Sequence, residues 1–147
     1  MSKIIKVQAR QVFDSRGNPT IEAEVVLENS IKASSIVPSG ASTGAFEAHE
    51  LRDNDKDYFL GKSVLKAVSN VNTLISQKII NQDPNNQKKI DDILLNLDGT
   101  DNKKNLGANS LLAVSLAVRK SSIILNNENY SDLKRETFFT LSFDEYY

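Results

Sequence analysis

The sequence contains no cysteine and no tryptophan, and it has a single histidine. Without cysteine, a disulfide framework and a thiolate metal site are both excluded. The N-terminal residues 1–6 carry two lysines and too few apolar residues for a secretory signal. No apolar run approaches the roughly 18 residues that a membrane-spanning helix needs. We therefore expect a cytoplasmic protein that does not insert into a membrane.

An excess of charge of either sign is also missing. Eighteen basic residues face nineteen acidic ones, for a net charge of −1. A nucleic-acid-binding surface or a polybasic membrane patch requires a concentration of basic residues. We therefore expect no nucleic-acid partner and favour a small molecule or another protein. The length of 147 residues suits one domain of ordinary size.

The first forty residues have the pattern of three strands. Between Ile4 and Phe13, the apolar residues Ile5, Val7, Ala9 and Val12 recur near a two-residue period. Turn-forming residues follow at 14–19, and a strictly alternating stretch runs from residue 21 to 25. A second turn at 28–30 precedes a third apolar stretch at 31–37. Such short connections predict an antiparallel meander.

The following residues have helical periodicity. Apolar residues recur every three or four positions from Ser63 to Ile80. Asp83-Pro84 is typical of a helix start, and the apolar face of that helix ends near Leu97. The stretch from Ser110 to Leu125 is apolar on most sides and predicts the most buried helix. Strands followed by helices predict the α+β class, with helices covering one face of the sheet.

Two segments fit neither pattern. The segment from Ser39 to Gly61 is long for a connection, and long loops in compact domains are often functional. From Asn126 to Tyr147 the composition changes to an asparagine-rich and then aromatic-rich stretch. We predict one domain at residues 1–125 and a poorly ordered tail at 126–147.

Inside the long connection lies a run of small residues with three hydroxyl groups. Two glycines leave the backbone amides unshielded, and the hydroxyl oxygens can bond to a phosphate or approach a hard cation. By itself the run favours an ordinary flexible loop over a ligand-binding one. Its members are Ser39, Gly40, Ala41, Ser42, Thr43 and Gly44.

The surrounding sequence favours the functional interpretation, because this run is one of several short motifs in a fixed order. The motifs lie at Ala9–Thr20, Val37–Gly44, Glu47–Asp53, Gly61-Lys62, Ala67–Asn72, Leu97–Thr100, Asn102-Lys103, Leu106–Ser110 and Val114–Val118. In this order and spacing they resemble the enolase family over most of the chain. The resemblance implies a three-stranded meander followed by a helical subdomain, the domain that caps a TIM-type barrel in these enzymes.

The same resemblance implies particular roles for a few residues. The run from Ser39 to Gly44 would close over the substrate, 2-phosphoglycerate or phosphoenolpyruvate. Ser42 would ligate the second of two Mg²⁺ ions, which suits an ion that takes few protein ligands and leans on substrate phosphate oxygens. Arg16 and Glu22 match family residues at the interface of a homodimer. They could equally be solvated surface charges.

Enolase chemistry needs a lysine base, a glutamate acid and the carboxylates that bind the first metal ion. In the family all of these belong to the barrel, which requires about 250 residues. We therefore expect no catalytic residue in this chain, and no activity from it alone. Two alternatives to an enolase domain remain: a non-catalytic module that docks on full-length enolase, and a truncated product without function.

Three further features have structural interpretations. His49 is expected to be an ordinary helix or loop residue rather than a catalytic one. The acidic residues Glu47, Glu50, Asp53, Asp55 and Asp57 suggest a metal site at first sight, but we interpret them as a solvated loop and helix end. The sequence at 98–100, Asp-Gly-Thr, predicts a turn with local side-chain hydrogen bonds.

Overall fold

Three antiparallel strands form a sheet in the order β1 (Ile4–Phe13), β2 (Pro19–Leu27) and β3 (Lys32–Ile36). The structure is a computed structural model that describes residues 2–38 and 48–128. Asp14 organises the turn between β1 and β2, because its carboxylate accepts the backbone amides of Arg16 and Asn18, both at 2.9 Å. The predicted meander is confirmed.

One face of the sheet is buried and the other is partly exposed. On β2 the inward residues Ile21, Ala23, Val25 and Leu27 are fully buried, while the residues between them are partly exposed. β1 departs from the predicted alternation, since a bulge shifts its register between Ile4 and Lys6. Ile4 and Val7 are therefore buried and Ile5 is half exposed, so the expectation that Ile5 continues the inward series is wrong.

The predicted helix at 63–80 forms as three consecutive helical segments. They are α1 (Leu65–Asn70), a π-helical segment (Val71–Ile75) and α2 (Ser76–Ile79). The π-helical hydrogen bond runs from the amide of Ser76 to the carbonyl of Val71. Apolar side chains of these segments line the core beneath the sheet, notably Val71, Ile75 and Ile79.

α3 (Gln87–Asp98) begins later than the sequence predicts. The Asp83-Pro84 start signal is wrong, because Asp83 accepts the amide of Asn85 at 2.9 Å and forms a separate turn. The helix is capped instead by Asn86, whose side chain accepts the amide of Lys89 at 3.2 Å. At its end, buried Asp98 accepts the amides of Thr100 at 3.1 Å and Leu106 at 2.7 Å, which confirms the predicted turn.

α4 (Ala108–Asn126) packs against β2 and β3 and is the most buried helix of the described residues, as predicted. By length and composition alone it could cross a membrane, contrary to the expectation from apolar runs, but 67% of the stretch is buried inside the described protein. α4 is tied to α3 by a buried polar cluster. Ser115 donates to Asp91 at 2.6 Å, and Gln87 donates to both of these residues at 2.9 Å.

Candidate functional site

The predicted substrate loop lies outside the described residues. This applies to Ser39, Gly40, Ala41, Ser42, Thr43 and Gly44, and also to Glu47 and to residues 129–147 of the predicted tail at 126–147. The chain on either side of the loop is described, up to residue 38 and from residue 48 onwards. The candidate site is therefore built from the two attachments of the segment 39–47.

The attachment before the loop is made by Val37. Its amide donates to the carbonyl of Ile21 at 3.1 Å, and its carbonyl accepts the hydroxyl of Thr20. Both Val37 and Thr20 are almost completely buried. The chain thus enters the loop from a fixed position beside the first residues of β2.

The attachment after the loop is an extended segment, residues 48–53, that we call the return segment. His49 donates its amide to the carbonyl of Asn102 at 2.7 Å and accepts the amide of Ala108 at 2.8 Å. Leu51 exchanges two hydrogen bonds of 3.1 Å with the side-chain amide of buried Asn109. The first turn of α4 and the loop before it therefore hold the return segment through its backbone.

Gly107 permits this close packing. Its φ angle is +91°, in the left-handed region that side chains disfavour. A Cβ atom at this position would lie 2.5 Å from the Cβ of Leu51 and 2.6 Å from the Oδ1 of Asn109. The return segment can therefore pack this closely against the start of α4 only because Gly107 has no side chain.

Arg52 fixes the return segment through its side chain. One terminal nitrogen, Nη1, donates to the carbonyl of Pro19 at 2.7 Å and also to the carbonyl of Lys62. The other, Nη2, pairs with Glu50 at 2.7 Å. Only 17% of the Arg52 side chain is exposed. No role for Arg52 is predicted from the sequence, although a lone arginine inside an acidic run is a signal that it neutralises its neighbours.

The acidic residues around Arg52 have specific partners rather than a common ligand. Glu50 pairs with Arg52, and Asp53 accepts the amides of Leu65 and Lys66 at 2.9 Å each. Asp53 thereby caps α1 from a distant part of the chain, which corrects the interpretation of Glu50 and Asp53 as merely solvated. Among the described residues, no group of three or more acidic, histidine or cysteine residues is arranged to hold a metal ion.

The remaining predicted residues lie apart from these attachments. His49 is exposed and contributes its backbone to the return segment. Arg16 is exposed in the turn between β1 and β2. Glu22 lies on the outer face of β2, directly across from Arg10, and its carboxylate is 2.5 Å from the Nε of Arg10. Arg10 was not predicted as the partner of Glu22, because the pairing depends on strand register.

Comparison with known proteins gives a consistent result. A family model described as "Enolase, N-terminal domain" matches residues 4–129. The chain is 59% identical to the enolase of Pelagibacter ubique over 127 residues, which cover 86% of this chain and 30% of that protein. It is 62% identical to the enolase of Methanococcus maripaludis over 119 residues, which cover 81% of this chain and 28% of that protein. The chain thus spans less than a third of the length of these relatives.

Proposed function

The chain belongs to the enolase family, and from this premise we propose that it serves as the N-terminal domain of a cytoplasmic, magnesium-dependent lyase. The proposed reaction interconverts 2-phosphoglycerate and phosphoenolpyruvate. The observation that carries the proposal is the family match over residues 4–129, together with about 60% identity to two enolases. The three-stranded sheet followed by helices agrees with this domain.

Within that reaction, we assign the loop from Ser39 to Gly44 to substrate closure and the hydroxyl of Ser42 to the second Mg²⁺ ion. Mg²⁺ binds oxygen ligands and commonly relies on substrate phosphates for part of its shell. A single hydroxyl is therefore a sufficient protein contribution. The attachments support the assignment, since the described residues on either side of 39–47 are held by hydrogen bonds to the sheet and to α4.

The proton transfers and the first metal site are assigned to the part of the relatives that this chain does not span. Removal of a proton next to a carboxylate requires a base and strong charge stabilisation. We assign to this chain the positioning of the substrate and of one metal ion, and no proton transfer. On this proposal, the 147-residue chain does not turn over 2-phosphoglycerate by itself.

A fusion enzyme tests the proposal. In it, residues 4–129 of this chain replace the matching region of the Methanococcus maripaludis enolase. We expect the fusion enzyme to turn over 2-phosphoglycerate with Mg²⁺, and the isolated chain to show no turnover under the same conditions.

The Ser42→Ala variant of the fusion enzyme tests the metal assignment. We expect kcat to fall at least about tenfold, because one ligand of the second ion is lost, and the Mg²⁺ concentration for half-maximal activity to rise. Ser69→Ala is the matched control, since Ser69 is an exposed serine on α1. A folded fusion enzyme without activity would refute the proposed function. Equal activity of the two variants would refute only the role of Ser42 and leave the proposed function standing.

A further inference from the structure

The two attachments of the segment 39–47 meet at one place in the fold. Val37, before the segment, is bonded to Thr20 and Ile21. Arg52, after the segment, is bonded to the carbonyl of Pro19 at 2.7 Å. The three consecutive residues 19–21 at the start of β2 therefore hold both ends, and we call them the common anchor.

We propose that Arg52 is a positioning residue for the reaction, because its guanidinium ties the return segment to the common anchor. The inference rests on the proposed function, which assigns the segment 39–47 to the substrate and to the second metal ion. Arg52 is not proposed to touch either of them. Together with the backbone bonds of His49 and Leu51, it holds the return segment after residue 47, as Val37 and Thr20 hold the chain before residue 39.

The geometry of these contacts requires an arginine, and another cationic side chain would not replace it. Arg52 serves the carbonyls of Pro19 and Lys62 and the carboxylate of Glu50 at the same time. A planar guanidinium with donors in a fixed fork can reach three acceptors, whereas the ammonium of lysine is a compact charge on a flexible stem. A lysine would keep the charge but lose the simultaneous contact with β2 and the return segment.

The burial of Arg52 also points to a fixed arrangement. A charged group removed from water is costly unless it is paired and hydrogen-bonded. Arg10 offers a contrast, because its side chain is 75% exposed and serves Glu22 on the surface of the sheet. Such an exposed pair contributes little, while the contacts of Arg52 join three separate parts of the chain.

A purely structural role for Arg52 makes a different prediction. The bond to Lys62 also steadies the turn before α1, so loss of Arg52 lowers stability in either case. A structural role alone would lower the melting temperature and leave the kinetic constants unchanged well below it. A positioning role changes catalysis at temperatures where the protein is fully folded.

The experiment compares Arg52→Lys with Arg119→Lys in the fusion enzyme. Arg119 is the matched control, since its side chain is 16% exposed and lies on α4, where it pairs with Glu128 at 3.4 Å. Small displacements of positioning groups cost up to about 100-fold in rate. We expect kcat/KM for 2-phosphoglycerate to fall about 10- to 100-fold in Arg52→Lys, with more Mg²⁺ needed for half-maximal activity. The control should stay within about twofold.

A second measurement uses the 147-residue chain itself and does not depend on activity. Amide hydrogen exchange should accelerate at His49 and Leu51 in Arg52→Lys, because the return segment loses its tie to β2, and should stay unchanged in Arg119→Lys. Unchanged exchange in both variants would overturn the inference. The inference would also be overturned if the fusion enzyme is active and Arg52→Lys leaves its kinetic constants unchanged. An inactive, folded wild-type fusion enzyme would instead refute the proposed function, and with it the positioning role, whatever the exchange shows about the tie.

Discussion

Among the single residues, Gly107 sets the distance between the return segment and α4. Its backbone conformation and its lack of a side chain are both needed there, since a Cβ atom would overlap Leu51 and Asn109. Gly17, in the turn between β1 and β2, also has a positive φ angle of +77°, but a Cβ atom would meet nothing within 4 Å. The two glycines therefore separate the cost of an unfavourable backbone from the cost of a steric clash.

We predict that Gly107→Ala destabilises the chain by about 3 kcal/mol, which combines backbone strain with overpacking. Gly17→Ala should cost about 1 kcal/mol, because only the backbone conformation is affected. Urea unfolding followed by circular dichroism measures both values. Equal losses in the two variants would show that the contact with Leu51 relaxes freely, and would contradict the tight seating of the return segment.

Of the structural elements, the π-helical segment at Val71–Ile75 places a side chain where a neighbouring strand would otherwise lie. Asn72, in this segment, accepts the amide of Ala9 at 2.7 Å and donates to the carbonyl of Ala9 at 3.1 Å. A side-chain amide has the same donor and acceptor as a peptide group. Asn72 therefore satisfies both backbone groups of Ala9 in β1, and the wider π turn accompanies that placement.

We expect Asn72→Ala to lower the free energy of unfolding by about 1 kcal/mol, because both bonds to Ala9 are lost and water replaces them only in part. Thr73→Ala is the control at the next position. The hydroxyl of Thr73 donates to the carbonyl of Ser69, one turn earlier in the same helical stretch, and alanine has the higher helix propensity. Thermal unfolding measures the stability of both variants. Equal stability of Asn72→Ala and Thr73→Ala would contradict this role of Asn72.

The periodicity of the sequence predicted the existence and order of the strands and helices, because the buried faces of β2 and α4 depend on local spacing. It failed where distant contacts decide. The bulge in β1 and the capping of α1 by Asp53 each depend on partners elsewhere in the chain. For the same reason, the motif Glu47–Asp53 indicated the family but not the function of Arg52, whose contacts at Pro19 and Lys62 arise only after folding. The start of α3 was misjudged for a local reason, because Asp83 forms its own turn and Asn86 caps the helix.

At the scale of the whole molecule, we propose that this domain contacts a second copy of itself in a homodimer. Arg16 and Glu22 are the residues that we propose for a homodimer interface. Glu22 already pairs with Arg10 across the strands, so its carboxylate has a partner within the described chain. The Arg10 side chain is 75% exposed, whereas that of Glu22 is only 12% exposed, so a cation from a partner would have to reach this carboxylate beside Arg10 or displace it.

We predict that Arg16→Ala and Glu22→Ala in the fusion enzyme each weaken dimerisation at least about tenfold, as loss of one partner of a buried interfacial charge pair does. Lys88→Ala is the control, because Lys88 forms an exposed ion pair with Asp92 at 2.9 Å on α3, outside the proposed interface. Sedimentation equilibrium gives the dissociation constants. A dimer that is unchanged by all three substitutions would place the interface elsewhere.

The coverage of the two sheet edges also bears on aggregation. Exposed strand edges are templates on which other chains add strands, and native proteins block them. β1 is engaged at Ile4 by the backbone of residues 81 and 82 and at Ala9 by Asn72. β3 has only five residues, and Lys120 donates to the carbonyl of Ser34 along it at 3.0 Å. Neither edge offers a long uninterrupted row of backbone groups, so the folded sheet resists the edge-to-edge association from which amyloid-like assemblies grow.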